Sequence, residues 1–270
     1  MNFNKYPTLF NKYALNISNP YIHTSYDIIH QTESNNTYIC HLYIHNINDF
    51  YVFYGKYIAN IEKYYSIIIT YNIGEIDNSI QNKYDILKIP HKGYDIGGKL
   101  CMLDYIYKNK PYFEFVMFLH SISDDDKRKK YFFPLAKNEN RISLIQNMFV
   151  IDKNLCGVFP NLPLTDKSHY YGTLDYYNDI IKYLGCSNSD KIFVEGNCMV
   201  LKRNVIDFVF YDNIEVFYNL LNDENSFDYN WVKLYYPRAN LDALLLDHLQ
   251  GKIHGNNLSI LSKDPTARQI

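Results

Sequence analysis

"YDILKIPHKGYDIGGKLCMLDYIY" (Tyr84–Tyr107) passes from an apolar stretch, through a glycine-containing turn, into a segment with helical spacing. "YDILKIP" (Tyr84–Pro90) is short and nearly continuous in apolar character, as a strand buried on both faces requires. "KLCMLDYIY" (Lys99–Tyr107) has the periodicity of a helix. Between them, Gly93, Gly97 and Gly98 allow close backbone approach, and Asp95 is the one acid of the turn.

The same unit recurs on either side. "TYICHLYIH" (Thr37–His45) is β-branched and aromatic, the composition of a strand. Residues 48–64 place Phe50, Phe53, Tyr54, Tyr57, Ile58 and Ile61 at helical spacing, with Asn48 or Asp49 available as a cap. "YSIIITY" (Tyr65–Tyr71) and "FEFVMFLH" (Phe113–His120) are two more buried-strand runs. Strands alternating with helices imply an α/β protein with a Rossmann-type, mostly parallel sheet covered on both faces. In such sheets ligands bind beyond the carboxyl ends of the strands. That rim would carry His45–Asp49, Thr70–Glu75, His91–Gly98 and His120–Arg128.

The second half is less regular. Helices are expected over Glu139–Asp152, near Tyr176–Leu184, over "IDFVF" (Ile206–Phe210) and over "IEVFYNLL" (Ile214–Leu221). A strand is expected from Leu155 into a loop ending at Pro163, and two strand pieces around Gly196 within Lys191–Asn204. A last helix over Asn240–Ile253 would put Leu241, Leu244, Leu245, Leu249 and Ile253 on its apolar side. Residues 1–36 read as a polar lead-in to a single domain over 37–270.

Composition narrows the function classes. At 47% hydrophobic and 21% charged, the 270-residue chain is globular rather than disordered. A net charge of −2 leaves no footprint for nucleic acid or an anionic membrane. The 28 Tyr, amid abundant Asn, Ile and Lys, fit AT-biased coding and core filling rather than an aromatic recognition surface. Five Cys, an odd number with no CxxC pair, argue against a disulfide framework or a zinc site. The start "MNFNKYPTLF" has no apolar signal core, and no uncharged run is long enough to span a bilayer. The expectation is a cytoplasmic protein with no membrane span and no nucleic-acid partner.

Four constellations offer chemistry. "GYDIGG" lacks both the GxGxxG order and a GK[ST] ending. Asp95 can accept hydrogen bonds from a ribose or a base, or it can cap the following helix. In "FLHSISDDDKRKK", His120 ends a strand, where it can be a core residue, a phosphate donor or a metal ligand. Asp124 and Asp126 have D-x-D spacing, a source of hard oxygen ligands for Mg²⁺ or Mn²⁺ on a diphosphate. The alternative is a charge run neutralised by Lys127, Arg128, Lys129 and Lys130, which could itself hold a diphosphate without metal. In "FVEGNCMVLKR", Glu195 is a candidate general base, or an exposed acid at a β-bulge, with Asn197 beside it. Asp242, Asp247 and His248 lie along the expected C-terminal helix, either facing a cleft or on its ordinary surface. No GxSxG elbow and no HExxH motif occurs.

Taken in order, "HLYIHNINDF" (His41–Phe50), "HKGYDIGGKL" (His91–Leu100), "FLHSISDDDKRKKYF" (Phe118–Phe132), "FVEGNCMVLKR" (Phe193–Arg203) and "DALLLDHLQGKI" (Asp242–Ile253) resemble the motifs of the rhamnan-synthesis F family of glycosyltransferases. The likeness spans roughly residues 37–253, and "G-x-D-I-G" with the strand-end His carries most of it. Tyr94 stands where that family has arginine, Gly98-Lys99 where it has Pro-Phe, and Ser121–Asp124 where it has Thr-Lys-Lys-Ser.

The resemblance implies a GT-A-like enzyme moving a sugar, such as rhamnose or another deoxyhexose or hexose, from a nucleotide diphosphate sugar to a glycan hydroxyl. It implies a donor-nucleotide half over 37–135 and an acceptor half over 136–270. Asp95, Gly97, Gly98, Lys99 and His120 would line the donor nucleotide. Glu195 or Asp242 would serve as base, Asn197, Asp247 and His248 would meet the acceptor, and Asp124 and Asp126 would hold Mn²⁺ or Mg²⁺. Two other readings stay open: a non-catalytic nucleotide- or carbohydrate-binding protein on the same fold, and a phosphatase or nucleotidyltransferase with "DDD" as its metal centre.

Overall fold

The computed structural model describes residues 24–34, 36–153, 155–160, 198–221, 249–254 and 258–263. Among the described residues nine strands form one sheet: β1 Asp27–His30, β2 Tyr38–Asn46, β3 Ser66–Ile73, β4 Asp85–Lys88, β5 Phe115–His120, β6 Leu155–Pro160, β7 Met199–Lys202, β8 Leu249–His254 and β9 Leu258–Lys263. Their order across the sheet is β1-β4-β3-β2-β5-β7-β6-β9-β8. Strands β4, β3, β2 and β5 run parallel, in the place that the apolar runs predict. Every other pairing is antiparallel, so the sheet is mixed rather than mostly parallel.

Helices join and cover the strands. A π-helical turn, Phe50–Tyr54, leads into α1 (Gly55–Ile61). Then come α2 (Asn78–Gln81), α3 (Tyr94–Asn109), α4 (Asp125–Lys127), α5 (Phe133–Ala136), α6 (Glu139–Ile151), α7 (Arg203–Phe210) and α8 (Ile214–Leu220). Asp49 makes no side-chain capping bond, whereas Asp77 and Asn138 cap α2 and α6 through Ser79 N and Arg141 N.

Alternation along each strand sorts the core into two layers. Ile39, Tyr43, Ile68, Val116 and Phe118 pack with α3, α7 and α8 on one face. Cys40, Leu42, Ile44, Ile67, Ile69, Met117 and Leu119 pack with α1, α5 and α6 on the other. Each such aliphatic side chain, fully buried, contributes about 1.5–3 kcal/mol relative to exposure.

Two expectations change. The lead-in is not wholly irregular, because Asp27–His30 forms an edge strand antiparallel to β4. The expected helix over Asn240–Ile253 is strand from Leu249 onward, pairing with β9 in a hairpin. Its earlier residues, the Tyr176–Leu184 helix and the strand piece before Gly196 lie outside the described residues. Among the described residues no helix is long and apolar enough to cross a membrane.

Candidate functional site

The carboxyl ends of β2, β3, β4 and β5 lie on one rim, and α3 starts there. Thr70, Tyr43 and His120 stand in one row across β3, β2 and β5. His41 stands one row further in, between Ile68 and Phe118. By alternation all of these side chains belong to the layer that α3 covers.

The start of α3 is unusually shaped. Gly93, its N-cap, has φ +68°, and Tyr94 follows at φ 48°. A left-handed Tyr costs about 1–2 kcal/mol, and such strain tends to sit at functional positions. The turn is shorter than the sequence implies: helix begins at Tyr94, so Asp95, Gly97, Gly98 and Lys99 all lie inside it. Asp95 is therefore a first-turn acid rather than the cap, only 3% exposed and favoured by the helix dipole.

Gly97 and Gly98 make room for protein rather than for a ligand. A Cβ on Gly97 would lie 1.7 Å from the Lys92 carbonyl oxygen. A Cβ on Gly98 would lie 2.8 Å from Tyr43 Cδ2 and 2.9 Å from Thr70 Oγ1. The absence of a Cβ at both positions lets α3 sit directly on β2 and β3.

A compact set of buried polar groups results. His41, Thr70, Asn72, Lys92, Asp95 and Lys99 are all buried. His41 Nε2 and Thr70 Oγ1 are 2.8 Å apart, while His41 Nδ1 has no hydrogen-bond partner among the described residues. Burial pushes the His41 pKa down to about 3, with the Lys99 and His120 charges adding to the shift and Asp95 opposing it. His41 is thus a neutral imidazole within electrostatic reach of Asp95, Lys99 and His120. Lys99 Nζ lies 5.5 Å from the centre of the Phe118 ring, and Lys92 Nζ lies 4.8 Å from that of Tyr218.

Around this set, buried Tyr43 and Asn72 lead out to the half-buried His45, His91, Tyr94 and His120. Tyr43 Oη donates to Asn72 Oδ1 at 2.7 Å, and Asn72 Nδ2 donates to the Pro90 carbonyl at 2.8 Å, which ties β3 to the turn before α3. The His45 ring meets His91 edge-on at 5.2 Å and Tyr94 at 6.1 Å. His120 Nδ1 lies 3.1 Å from the Ser121 carbonyl.

Of the residues expected at the site, Asp95, Lys99 and His120 are brought together. Asp124 and Asp126 are elsewhere in chemistry if not in sequence. Asp124 Oδ1 accepts from Lys127 N at 2.8 Å as the cap of α4, and the exposed Asp126 pairs with Lys129 at 3.1 Å. Asp125 pairs with Arg128 and Lys129, which hold its carboxyl below the usual range. These acids are committed to a cap and to basic neighbours, so they do not fit the expected metal pair. Among the described residues no group of three or more His, Cys, Asp or Glu could hold a cation. Glu195, Asn197, Asp242, Asp247 and His248 lie outside the described residues.

The sequence does not single out His41, Thr70, Asn72 or Lys92. The available signal is a polar residue inside an otherwise apolar buried strand, which needs a partner across the layer. The class that the fold defines is an α/β protein with a mixed open sheet and a polar set at the carboxyl ends of its parallel strands. No family model, no curated protein and no solved structure matches the chain.

Proposed function

We propose that the protein is a glycosyltransferase that takes its sugar from a nucleotide diphosphate sugar and binds the donor diphosphate at the start of α3. One observation carries the reading. Two buried lysines, Lys92 and Lys99, lie with the first turn of a 16-residue helix at the carboxyl ends of parallel strands. Helix N-termini favour anions through their free N–H groups and dipole. His41, whose buried Nδ1 has no hydrogen-bond partner among the described residues, belongs to the layer that this helix covers, and the left-handed Tyr94 begins the helix.

In this reading Lys92, Lys99 and His120 meet the charge that develops on the departing diphosphate. Neutral His41, fixed by Thr70, can share a hydrogen bond without adding positive charge. His45, His91 and Tyr94 offer aromatic faces to the base, and Asp95 balances the lysines. Glu195 or Asp242 remains the proposed base for the acceptor hydroxyl, a role worth about 10²–10⁴-fold in rate.

A thermal-shift screen with UDP, GDP, dTDP and CMP, with and without Mn²⁺, tests the donor site, because a ligand of the native state alone raises the melting temperature. At least one nucleotide should stabilise wild type and fail to stabilise Lys99→Met. Turnover of the matching sugar nucleotide completes the test. Binding without nucleotide release in any acceptor mixture supports the non-catalytic binding reading and ends the enzymatic one. No shift by any nucleotide ends both.

A further inference from the structure

A second feature lies at the other end of the sheet. A cleft of about 780 Å³ opens between residues 31–34 and 36, ahead of β2, and residues 109–112, ahead of β5. That volume is in the range of small-molecule sites, roughly 300–1,000 Å³. The helix α3, about 24 Å long at 1.5 Å per residue, separates the cleft at its last residue from the polar set at its first.

A partly buried lysine bridges the two lips of the cleft. Lys110 Nζ donates to the carbonyl oxygens of Thr32 and Ser34, each at 3.2 Å, and so joins the two lips. It also lies 3.0 Å from Asp85 Oδ2, in an ion pair whose alignment falls short of a hydrogen bond. Asp85 is fully buried on β4 and accepts from the Thr32 hydroxyl at 2.8 Å. Lys110 lines the cleft, but its positive charge is balanced by the buried Asp85, so the cleft holds no excess positive charge to select a phosphate or a carboxylate. Beside Lys110, the polar lining is neutral apart from one acid, Glu33, and both Gln31 and Glu33 are exposed. At its mouth stands Tyr112, 85% exposed and next to Pro111.

We propose that this cleft binds a segment of a neutral glycan chain. A bare tyrosine ring stacks on the apolar face of a pyranose, since an aromatic face combines large contact area with a favourable electrostatic surface. Amide and carboxylate groups pair with ring hydroxyls, and the fixed lips lower the ordering cost of binding. A site so far from the start of α3 holds polymer without touching the transfer chemistry. Binding here does not depend on the glycosyltransferase reading, which supplies only its use.

The test is retention on a printed array of neutral oligosaccharides without nucleotide, then titration of the best-retained sugar by calorimetry. Wild type should bind. Tyr112→Ala, which removes an exposed ring and should melt like wild type, should bind at least about fivefold more weakly. Lys99→Met should bind as wild type, because it alters only the other end of α3. The proposal is overturned if no neutral oligosaccharide is retained by wild type, if Tyr112→Ala loses less than about fivefold, or if Lys99→Met abolishes retention. Nucleotide shifts in the same proteins report separately on the donor site.

Discussion

His41 is an imidazole sealed between a sheet and a helix, with Thr70 on one nitrogen and, among the described residues, no hydrogen-bond partner on the other. Its folded pKa, lowered to about 3 by burial first and by Lys99 second, lies below the ordinary value of 6.5. The sign follows from linkage: the unfolded chain takes up the proton near pH 6.5, and the native state does so only near pH 3. The native advantage is complete above pH 6.5 and is lost as pH falls toward 3, by up to about 1.4 kcal/mol per pH unit. His41→Gln keeps a group able to bond Thr70 and does not titrate. Between pH 7 and pH 5, wild type should lose about 2 kcal/mol more stability than His41→Gln in urea melts. Equal losses would mean that His41 is protonated, or watered, in the native state. The sequence shows His41 within the apolar run Thr37–His45 and as the first residue of "HLYIHNINDF", with no role of its own. Its partners come from β3, α3 and β5, so neither its burial nor its charge state is legible in local spacing. Asp95 is the converse case, since the local pattern marks it and only the start of α3 shows it to lie inside the helix.

At the scale of elements, the segment after β5 decides between metal and cap. Asp124 accepts from Lys127 N, Asp125 and Asp126 sit in the first turn of α4, and Arg128 donates to the carbonyl oxygens of Ile122 and Ser123 at 2.6 and 3.1 Å. These are the bonds of a helix start that reverses the chain after the strand. Asp124→Ala should cost about 1 kcal/mol, the usual worth of an N-cap. That loss should be the same in Mn²⁺ as in a chelator, measured by denaturant melts in each. A loss that grows when Mn²⁺ is present would instead place Asp124 on a cation. The elements themselves were unevenly legible. Ile67–Ile69 and Val116–Leu119 are continuous apolar stretches that few structures except buried parallel strands produce. Leu249–His254 failed because Leu241, Leu244, Leu245, Leu249 and Ile253 satisfy a helical period, while the pairing with β9 that makes a strand is not written locally.

The whole molecule joins two unlike halves on one sheet. Strands β4, β3, β2 and β5 carry side chains buried on both faces, and the proposed donor site stands on their ends. Beyond β5 the direction reverses at β7, and β7, β6 and β9 each depend on partners far away in sequence. That explains why the α/β alternation was readable and the mixed sheet was not: parallel order follows from strand–helix–strand succession, whereas antiparallel insertion is a choice among long-range pairings. It also has a dynamic consequence. Local opening is costly where both faces and both edges of a strand are covered, and cheap at an exposed edge. β2 has partners on both sides and α3 over it, whereas β1 ends the sheet, carries a register shift between Ile28 and His30, and leaves Ile28 46% exposed. Amides of Cys40–Ile44 should therefore exchange only through global unfolding, and those of Asp27–His30 at least about tenfold faster, as read by hydrogen–deuterium exchange resolved to peptides. Rigid central strands would hold His41, Thr70 and His120 in place before any donor arrives, the condition for electrostatic stabilisation without reorganisation. Equal exchange in the two strands would remove that preorganisation, and with it the reason to place a diphosphate on the ends of these strands.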